Sequence, residues 1–229
     1  IDNKHINVFK LSNTTGENIN MVKEYLFKLN SKYDWEQKIN KDSIFSIDER
    51  FQVKGVGTII SGKLISGKVL KGDVLFMGPF NSNGDWFKIG IKSIHNDFRE
   101  DVPELLSGMA GCFAIKMFNK KEETNIKSNF RKGLIACSNK QKSIKKFKAH
   151  IKILNNHSTT IKNNFQPIIN CNNVVQTASL ILRKEDILRG GSKALINLNF
   201  KYRPEYICIN DVFLLREGKT RGLGKIVEI

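Results

Sequence analysis

The segment GVGTIISGKLISGKVLKGDVLFMGP, residues 55–79, is the stretch that decides the fold. Its glycines recur every few positions, and β-branched residues stand in many of the intervals between them. Glycine costs about 1 kcal/mol inside a helix, whereas β-branched residues favour strands. The segment therefore predicts a glycine-rich β-hairpin, followed by a turn at residues 71–73 and a buried strand at residues 74–78.

Residues 57–63 of the same segment read Gly-x-x-x-x-Gly-Lys, which is the beginning of a phosphate-binding P-loop. Leu64 stands where a P-loop places the Ser or Thr whose hydroxyl holds Mg²⁺. A P-loop must also open a helix, because the N-terminal N–H groups of that helix hold the phosphates. The residues that follow carry strand and turn signals, so we interpret the motif as part of a hairpin.

Short strand patterns continue beyond this hairpin. The two predicted faces of residues 43–53 are Ile44, Ser46 and Asp48 on one side and Phe45, Ile47 and Glu49 on the other. Similar runs occupy residues 87–95 and 111–118, and a second strand-rich block extends from about residue 130 to residue 229. Many short strands spaced by about ten residues predict barrels or sandwiches. We therefore expect a mainly β fold made of two consecutive strand-rich blocks.

The start of the chain has a different pattern. Val8, Phe9 and Leu11 predict the end of a buried strand, and residues 14–17 have the form of a capping box with Thr14 as N-cap. A helical stripe follows at Ile19, Val22, Leu26 and Leu29. This strand–helix order is typical of the last unit of an α/β domain.

These patterns divide the chain into four parts. We expect an α/β remnant at 1–30, a polar linker at 31–43 that Trp35 docks, a first β domain at 44–120 and a second at 121–229. Because the sequence begins with Ile, we expect it to be a piece of a longer protein.

The charge of the chain predicts a polyanionic partner. Its net charge of +16 favours contact with RNA or a ribosome-like surface. An AT-rich coding sequence is the alternative explanation, since it would place lysines on solvated faces without selection for binding. No apolar run approaches the roughly 18 residues of a membrane span, so we expect no membrane partner.

The cysteines and histidines indicate no metal or redox site. Cys112, Cys137, Cys171 and Cys208 are widely spaced and form no C-x-x-C pair. We expect reduced, mostly buried cysteines in a cytoplasmic protein. The four histidines are scattered, and nothing in their spacing supports a catalytic site.

Three stretches resemble the translational GTPases, such as elongation factor Tu and eukaryotic elongation factor one-alpha. Residues 55–79 resemble the start of their second domain, residues 214–229 the last strands of their third domain, and residues 10–17 their last guanine-nucleotide motif. This resemblance implies two consecutive β-barrels, domains II and III, preceded by the last strand and helix of a GTPase domain.

Within that superfamily, three details resemble the group called GTP-binding proteins one and two. They are the SNTTGEN stretch at residues 12–18, the short Arg-Glu-Gly-Lys-Thr at residues 216–220 and the His-Ser-Thr-Thr-Ile at residues 157–161. This resemblance implies GTP and Mg²⁺ as cofactors of the intact protein. Residues 1–229 contain no P-loop, Asp-x-x-Gly or Asn-Lys-x-Asp motif, so we expect this piece not to hydrolyse GTP itself.

The resemblance also implies roles for particular residues. The guanine-contacting positions of the intact protein match Ser12, Asn13 and Thr14, for which a helix cap is the alternative. The aminoacyl end of tRNA would meet the positions Asp48, Glu49, Arg50, Phe51, Gly111, Cys112 and Phe113. Cys112 and Phe113 replace an acidic or amide pair of elongation factor Tu, and core packing is the alternative role for Phe51 and Phe113.

Basic residues near the chain end imply contacts with the tRNA T stem. They are Arg216, Lys219 and Arg221, around Gly218, and each would add a salt-dependent, sequence-independent contact with a phosphate. A second basic cluster consists of Lys142, Lys145, Lys146 and Lys148, for which a solvated face is the alternative.

The expected function is to hold tRNA, another structured RNA or the ribosome in translation or in ribosome and mRNA quality control. The alternative is a protein-interaction module that links to RNA-decay proteins without binding tRNA. A single-strand binder is a third reading, which the core-like rhythm of most Phe residues disfavours.

Overall fold

The computed structural model describes residues 7–30, 33–155, 160–183 and 186–229. The chain forms two compact units, residues 1–34 and residues 35–229. Residues 157–159 of the predicted His-Ser-Thr-Thr-Ile motif lie outside the described residues.

The first unit contains one helix, α1 at Ile19–Phe27, in its described part. The predicted capping box at Thr14 is wrong, because Asn18 is the residue that precedes the helix, with a φ of 59°. A turn forms upstream instead, in which the Gly16 N–H donates to the Ser12 carbonyl at 2.9 Å. Residues 7–11 carry no strand, and the Val8 side chain is 83% exposed.

The second unit begins with a short helix and the first β-barrel. The elements are α2 at Glu36–Ile39, β1 at Ile44–Val53, β2 at Gly57–Ser66, β3 at Lys68–Leu70, β4 at Val74–Phe80, β5 at Asp85–Asn96, β6 at Asp101–Val102, β7 at Glu104–Leu106, β8 at Ala110–Met117, α3 at Lys120–Ser128 and β9 at Ile135–Cys137. The barrel order is β4-β9-β1-β2-β8-β5, and β5 closes it by pairing with β4. Strand β6 extends β5, while β3 and β7 form a separate ribbon.

The second barrel contains the remaining strands. They are β10 at Lys146–Ile153, β11 at Ile168–Cys171, β12 at Val174–Ile181, β13 at Lys193–Phe200, β14 at Val212–Glu217 and β15 at Thr220–Glu228. Their order is β10-β13-β12-β11-β14-β15, and β15 closes the barrel on β10. The expected mainly β fold with two consecutive barrels is confirmed.

Each barrel surrounds its own apolar core. In the first barrel, Phe45 packs on Phe113 with ring centroids 4.3 Å apart. In the second barrel, Phe147 contacts the rings of Phe200 and Phe213. Inward-facing residues of the barrel strands supply these side chains, since successive residues of a regular strand point to opposite faces.

Two bulges change the faces that simple alternation predicts. A register shift in β1 between Ile47 and Glu49 leaves Ile47 buried and turns Glu49 outward. The prediction that Ile47 and Glu49 share one face is therefore wrong. A second shift, between Ile91 and Ser93 of β5, brings Ile94 into the core. Each bulge adds one residue to one strand, which inverts the faces that follow it.

The position of strand β9 contradicts the boundary between the two β domains that the sequence predicts. The sequence pattern predicts a second β domain at residues 121–229, but β9 pairs with β1 and β4 inside the first barrel. The first barrel therefore takes in residues up to Cys137. Strand β9 has three residues, all buried, which is too short to show the alternation that identifies a strand.

A buried ion pair joins the two barrels. Arg131, just before β9, donates from Nη1 to Glu205 Oε2 at 2.7 Å and from Nη2 to the Pro79 carbonyl at 2.8 Å. The Glu205 side chain is 1% exposed and also accepts a hydrogen bond from Gln176 Nε2. Asn173 Nδ2 adds a second link, because it donates to the Ile47 carbonyl at 3.0 Å.

Removing one partner of this pair is expected to destabilise the protein strongly. Glu205→Ala leaves the Arg131 guanidinium buried without its carboxylate, which typically costs about 3–5 kcal/mol. The free energy of unfolding, measured by urea denaturation, should fall by that amount.

The matched control is Glu228→Ala, which removes the 71% exposed carboxylate beside Lys148. Its expected cost is about 0–1 kcal/mol, as for exposed ion pairs generally. Equal costs for the two variants would show that Arg131 and Glu205 do not hold the barrels together.

Candidate nucleic-acid interface

The near P-loop lies inside a β-strand. Residues 57–63 belong to β2, which pairs with β1 on one side and β8 on the other. The Thr58 and Ile60 side chains are buried. Backbone groups committed to two ladders cannot form a phosphate cradle, so the interpretation of the motif as strand is confirmed. The prediction that its glycines turn the chain is wrong at Gly62, which lies inside β2; the hairpin is the one that β1 and β2 form.

The aminoacyl-site candidates of the first barrel form a polar row on its outer face. Glu49 is opposite Ser61, Ser61 is opposite Cys112, and Cys112 is opposite His95. Residues directly opposite in antiparallel strands point to the same face. Glu49 is exposed, and the other three side chains are half-buried. Neighbouring strands lie about 4.8 Å apart, so Glu49 and Cys112 are roughly 10 Å from each other.

The remaining candidates of this barrel take different positions. Asp48 is the exposed residue at the bulge, and Gly111 is buried where a Cβ would lie 2.7 Å from the His95 carbonyl oxygen. Arg50 lies over the Phe130 ring at 5.6 Å. Glu49 and Cys112 therefore belong to the same row, whereas the Arg50 side chain is directed towards Phe130.

The two phenylalanines have different environments. Phe113 is fully buried against Phe45, which supports the packing alternative for that residue. Phe51 is 44% exposed and stands opposite Ile59. Core packing therefore does not account for Phe51, which remains available to a ligand.

The basic hairpin of the second barrel is exposed and unpaired. Arg216 of β14 stands directly opposite Arg221 of β15, and both side chains are exposed. Gly218 and Lys219 form the two-residue loop, and Gly218 has a φ of 53°, which favours glycine. Arg221 Nη1 donates to the Gly218 carbonyl at 2.6 Å. No ion pair to these three cations occurs within the described residues.

The lysine cluster of residues 142–148 is not a single surface. Lys148 pairs with Glu228 at 3.5 Å, and Lys145 donates to the Lys201 carbonyl at 3.2 Å. Lys142 and Lys146 are exposed. Lys146 begins β10 whereas Arg221 lies beside its other end, so the two basic groups are roughly 25 Å apart.

The predicted guanine-contacting residues form the turn before α1. Ser12 is its hub, because its carbonyl accepts from Gly16 and its Oγ accepts from the Thr15 N–H at 3.2 Å. The N–H groups of Asn13 and Thr14 have no acceptor within the described residues, and both residues are exposed. The turn thus offers free backbone donors to a ligand.

Trp35 docks the predicted linker, as expected from the sequence. A Cβ added at Gly108 would lie 2.7 Å from the Trp35 ring, and Ser107 Oγ donates to the Trp35 carbonyl at 2.9 Å. The Lys38 and Lys63 ammonium groups lie about 5 Å from the ring centroid. The segment at residues 35–39 is therefore part of the second unit.

Sequence reasoning missed the polar network between the barrels. Arg131 and Glu205 are separated by 74 residues, and neither belongs to a recognisable motif. The usable signal was Glu205 itself, an acidic residue between the apolar Pro204 and the mostly apolar 206–209. A carboxylate there needs a cation, but the sequence does not show which one.

The described residues hold no group of three or more metal-ligating side chains. All four cysteines are free thiols, with Cys137 and Cys171 buried and Cys112 and Cys208 half-buried. Burial raises the pKa of the Cys137 and Cys171 thiols to about 12. Across the same residues, no helix has the length and apolar character needed to cross a membrane.

The two consecutive barrels match the fold that the resemblance to the translational GTPases implied. The relatives described next support a translation-factor-like protein. No protein-family profile matches the chain.

Curated relatives identify the group within that class. The chain is 34% identical over 97% of its length to GTP-binding protein 1 of Xenopus laevis, and 31% identical over 97% to GTP-binding protein 2 of Homo sapiens. It is 28% identical over 91% to a selenocysteine-specific elongation factor of Methanocaldococcus jannaschii. The resemblance to the translational GTPases and to GTP-binding proteins 1 and 2 is confirmed. The chain spans about a third of the length of those two proteins.

Thiol reactivity should separate the four cysteines into two classes. The thiolate is the reactive form, so Cys137 and Cys171 should remain unlabelled by a disulfide reagent at pH 8. Their labelling rate should match the rate of global unfolding, whereas Cys112 and Cys208 should react first. Mass spectrometry of a labelling time course measures this, and rapid labelling of all four would contradict the burial described here.

Proposed function

We propose that the two barrels are the RNA-binding part of a GTP-dependent translation factor, with tRNA or ribosomal RNA as the partner. The relatives support this proposal by name, since two are GTP-binding proteins and one is an elongation factor. The role extends to ribosome or mRNA quality control, in which the same surfaces would contact the same class of RNA.

The observation that carries the proposal is the opposed pair Arg216 and Arg221. Like charges directly opposite each other on a sheet are destabilising, and no carboxylate relieves this pair within the described residues. An RNA phosphate would neutralise both, and Lys219 at the hairpin tip lies next to them. A phosphate backbone is the partner that matches exposed, unpaired arginines without a surrounding pocket.

The polar row of the first barrel supports contact with the aminoacyl end. Glu49 offers an exposed carboxylate for the amino group of an aminoacyl ester, and Phe51 offers an exposed apolar face on the same strand. Cys112 and His95 continue the row. This arrangement differs from the acidic or amide pair of elongation factor Tu, so we propose acyl recognition through Glu49.

The GTP and Mg²⁺ of the intact protein involve only one described segment. The turn at residues 12–14 fits a guanine base, because the Asn13 and Thr14 N–H groups are free to donate to ring oxygen or nitrogen atoms. GTP bound there would supply the free energy of a switch between two states, and this chain would supply the base contact.

A second function has its own supporting observation. Three aliphatic side chains stand on the outer face of the neighbouring strands β14 and β15, between 41% and 60% exposed: Val212, Leu214 and Leu223. Clustered exposed apolar side chains often mark protein contacts. This face is what a protein-interaction module that binds RNA-decay proteins would use.

The RNA-binding proposal predicts a change in salt dependence. Arg221→Gln should weaken tRNA binding and lower the slope of log affinity against log salt concentration by about 1, the effect of one lost phosphate contact. Arg216→Gln should do the same. Filter binding or fluorescence anisotropy of labelled tRNA over a salt series measures both.

Arg189→Gln is the matched control, because Arg189 is an exposed arginine of the same barrel outside the hairpin. It should leave the slope within error of the parent protein. RNA binding that is weak, insensitive to salt and indifferent to the acyl group would contradict the proposal and favour the protein-interaction function.

A further inference from the structure

A polar groove runs between the two barrels, beside the ion pair that joins them. Its volume is about 330 Å³, which is at the lower end of the range for small-ligand sites. The lining includes Asn81, Ser82, Asn129, Arg131, Tyr202 and Arg203. Nitrogen and hydroxyl donors therefore predominate among its functional groups, and none of the lining residues is acidic.

Both oxygens of the Glu205 carboxylate already accept hydrogen bonds from the ion-pair network. Glu205 Oε2 accepts from Arg131 at 2.7 Å, and Oε1 accepts from Gln176 Nε2 at 2.5 Å. Arg203 reaches this carboxylate only at 3.6 Å. Its Nε is buried and makes no hydrogen bond within the described residues.

Arg203 is therefore a cation whose charge is only partly balanced. Its side chain is 31% exposed, so its guanidinium is neither fully hydrated nor fully paired. The Arg203 backbone is held by Gln176, since the Arg203 N–H donates to Gln176 Oε1 at 3.0 Å and the Arg203 carbonyl accepts from Gln176 Nε2. The Nε of Arg203 is directed at Glu205, but its two Nη groups make no hydrogen bond within the described residues, and Arg203 lines the groove. These Nη groups are suited to an oxyanion contact.

Neighbouring cations increase the imbalance. Arg131, Arg203 and Lys145 face the single carboxylate of Glu205, so positive charge exceeds negative charge around the groove. Burial, followed by the charge of Arg203, lowers the pKa of Lys145, which indicates that the two cations repel each other. Asn81 of the lining donates from Nδ2 to the Asp85 carboxylate at 2.9 Å.

We propose that this groove is a binding site for an oxyanion of the phosphate class, with Arg203 as its principal ligand. A tetrahedral phosphate presents several acceptor oxygens, and the groove offers guanidinium, amide and hydroxyl donors from both barrels. The bound anion would neutralise the excess positive charge and strengthen the junction. The inference does not depend on the proposed RNA contact of the hairpin at residues 216–221.

The test is thermal unfolding of the intact protein in sodium phosphate against sodium chloride at equal ionic strength. Phosphate should raise the melting temperature of the parent protein. Arg203→Gln should weaken the apparent phosphate affinity by roughly ten-fold or more, which corresponds to the loss of a charge-assisted contact. Arg203→Lys keeps the charge but removes the paired donors of the guanidinium, so its phosphate affinity should lie between those of the parent protein and Arg203→Gln.

Arg189→Gln serves again as the control, because Arg189 does not line the groove. Melting temperatures in chloride alone establish that each variant folds. A phosphate effect that is equal in the parent protein, Arg203→Gln and Arg189→Gln would overturn the proposal, as would the absence of any specific phosphate effect.

A second arm identifies the source of the phosphate. If Arg203→Gln lowers the affinity for both phosphate and tRNA, the site takes a phosphate of the polynucleotide backbone. If it lowers the affinity for phosphate and leaves tRNA binding intact, the site takes a free phosphate compound. Both results support the phosphate site. If the hairpin variants leave tRNA binding unchanged, the RNA contact of the hairpin is contradicted, but the phosphate result for Arg203→Gln still tests the groove.

Discussion

The buried ion pair between Arg131 and Glu205 is the interaction on which the relation of the two barrels depends. A carboxylate that is 1% exposed is tolerated only with a cation and hydrogen bonds around it. Arg131 supplies the cation from the segment before β9, and Gln176 supplies a bond from the second barrel. Because the guanidinium also holds the Pro79 carbonyl, the pair fixes the end of β4 against residues of both domains.

The fixed orientation of the two barrels sets the relative positions of their candidate binding groups. The hairpin at residues 216–221 and the polar row through Glu49 belong to different barrels, so a ligand that touches both requires the barrels to keep one orientation. The positive charge is not spread uniformly, since Lys148 and Arg131 are paired whereas Arg216 and Arg221 are not. The directly opposed pair Arg216 and Arg221, which no carboxylate within the described residues relieves, favours a polyanion more specifically than the net charge does.

Local chemistry explains which parts of this structure were predictable. Residues 55–79 specify strands and turns within a few residues, because glycine and β-branched residues act on their own backbone. The outward position of Glu49 depends on a bulge at Asp48, and the membership of β9 depends on partners about 60 and 90 residues away. The pairing of Arg131 with Glu205 is likewise a tertiary contact over 74 residues. Such features follow from packing, and sequence patterns do not display them.

The central claim is that Arg216 and Arg221, the directly opposed arginines of the hairpin in the second barrel, contact RNA. Residue-resolved arginine modification, measured by mass spectrometry with and without bound tRNA, tests it most directly. The account predicts that tRNA protects Arg216 and Arg221 from modification while Arg189 reacts equally in both states. Equal modification of Arg216 and Arg221 in the free and the tRNA-bound protein would contradict it.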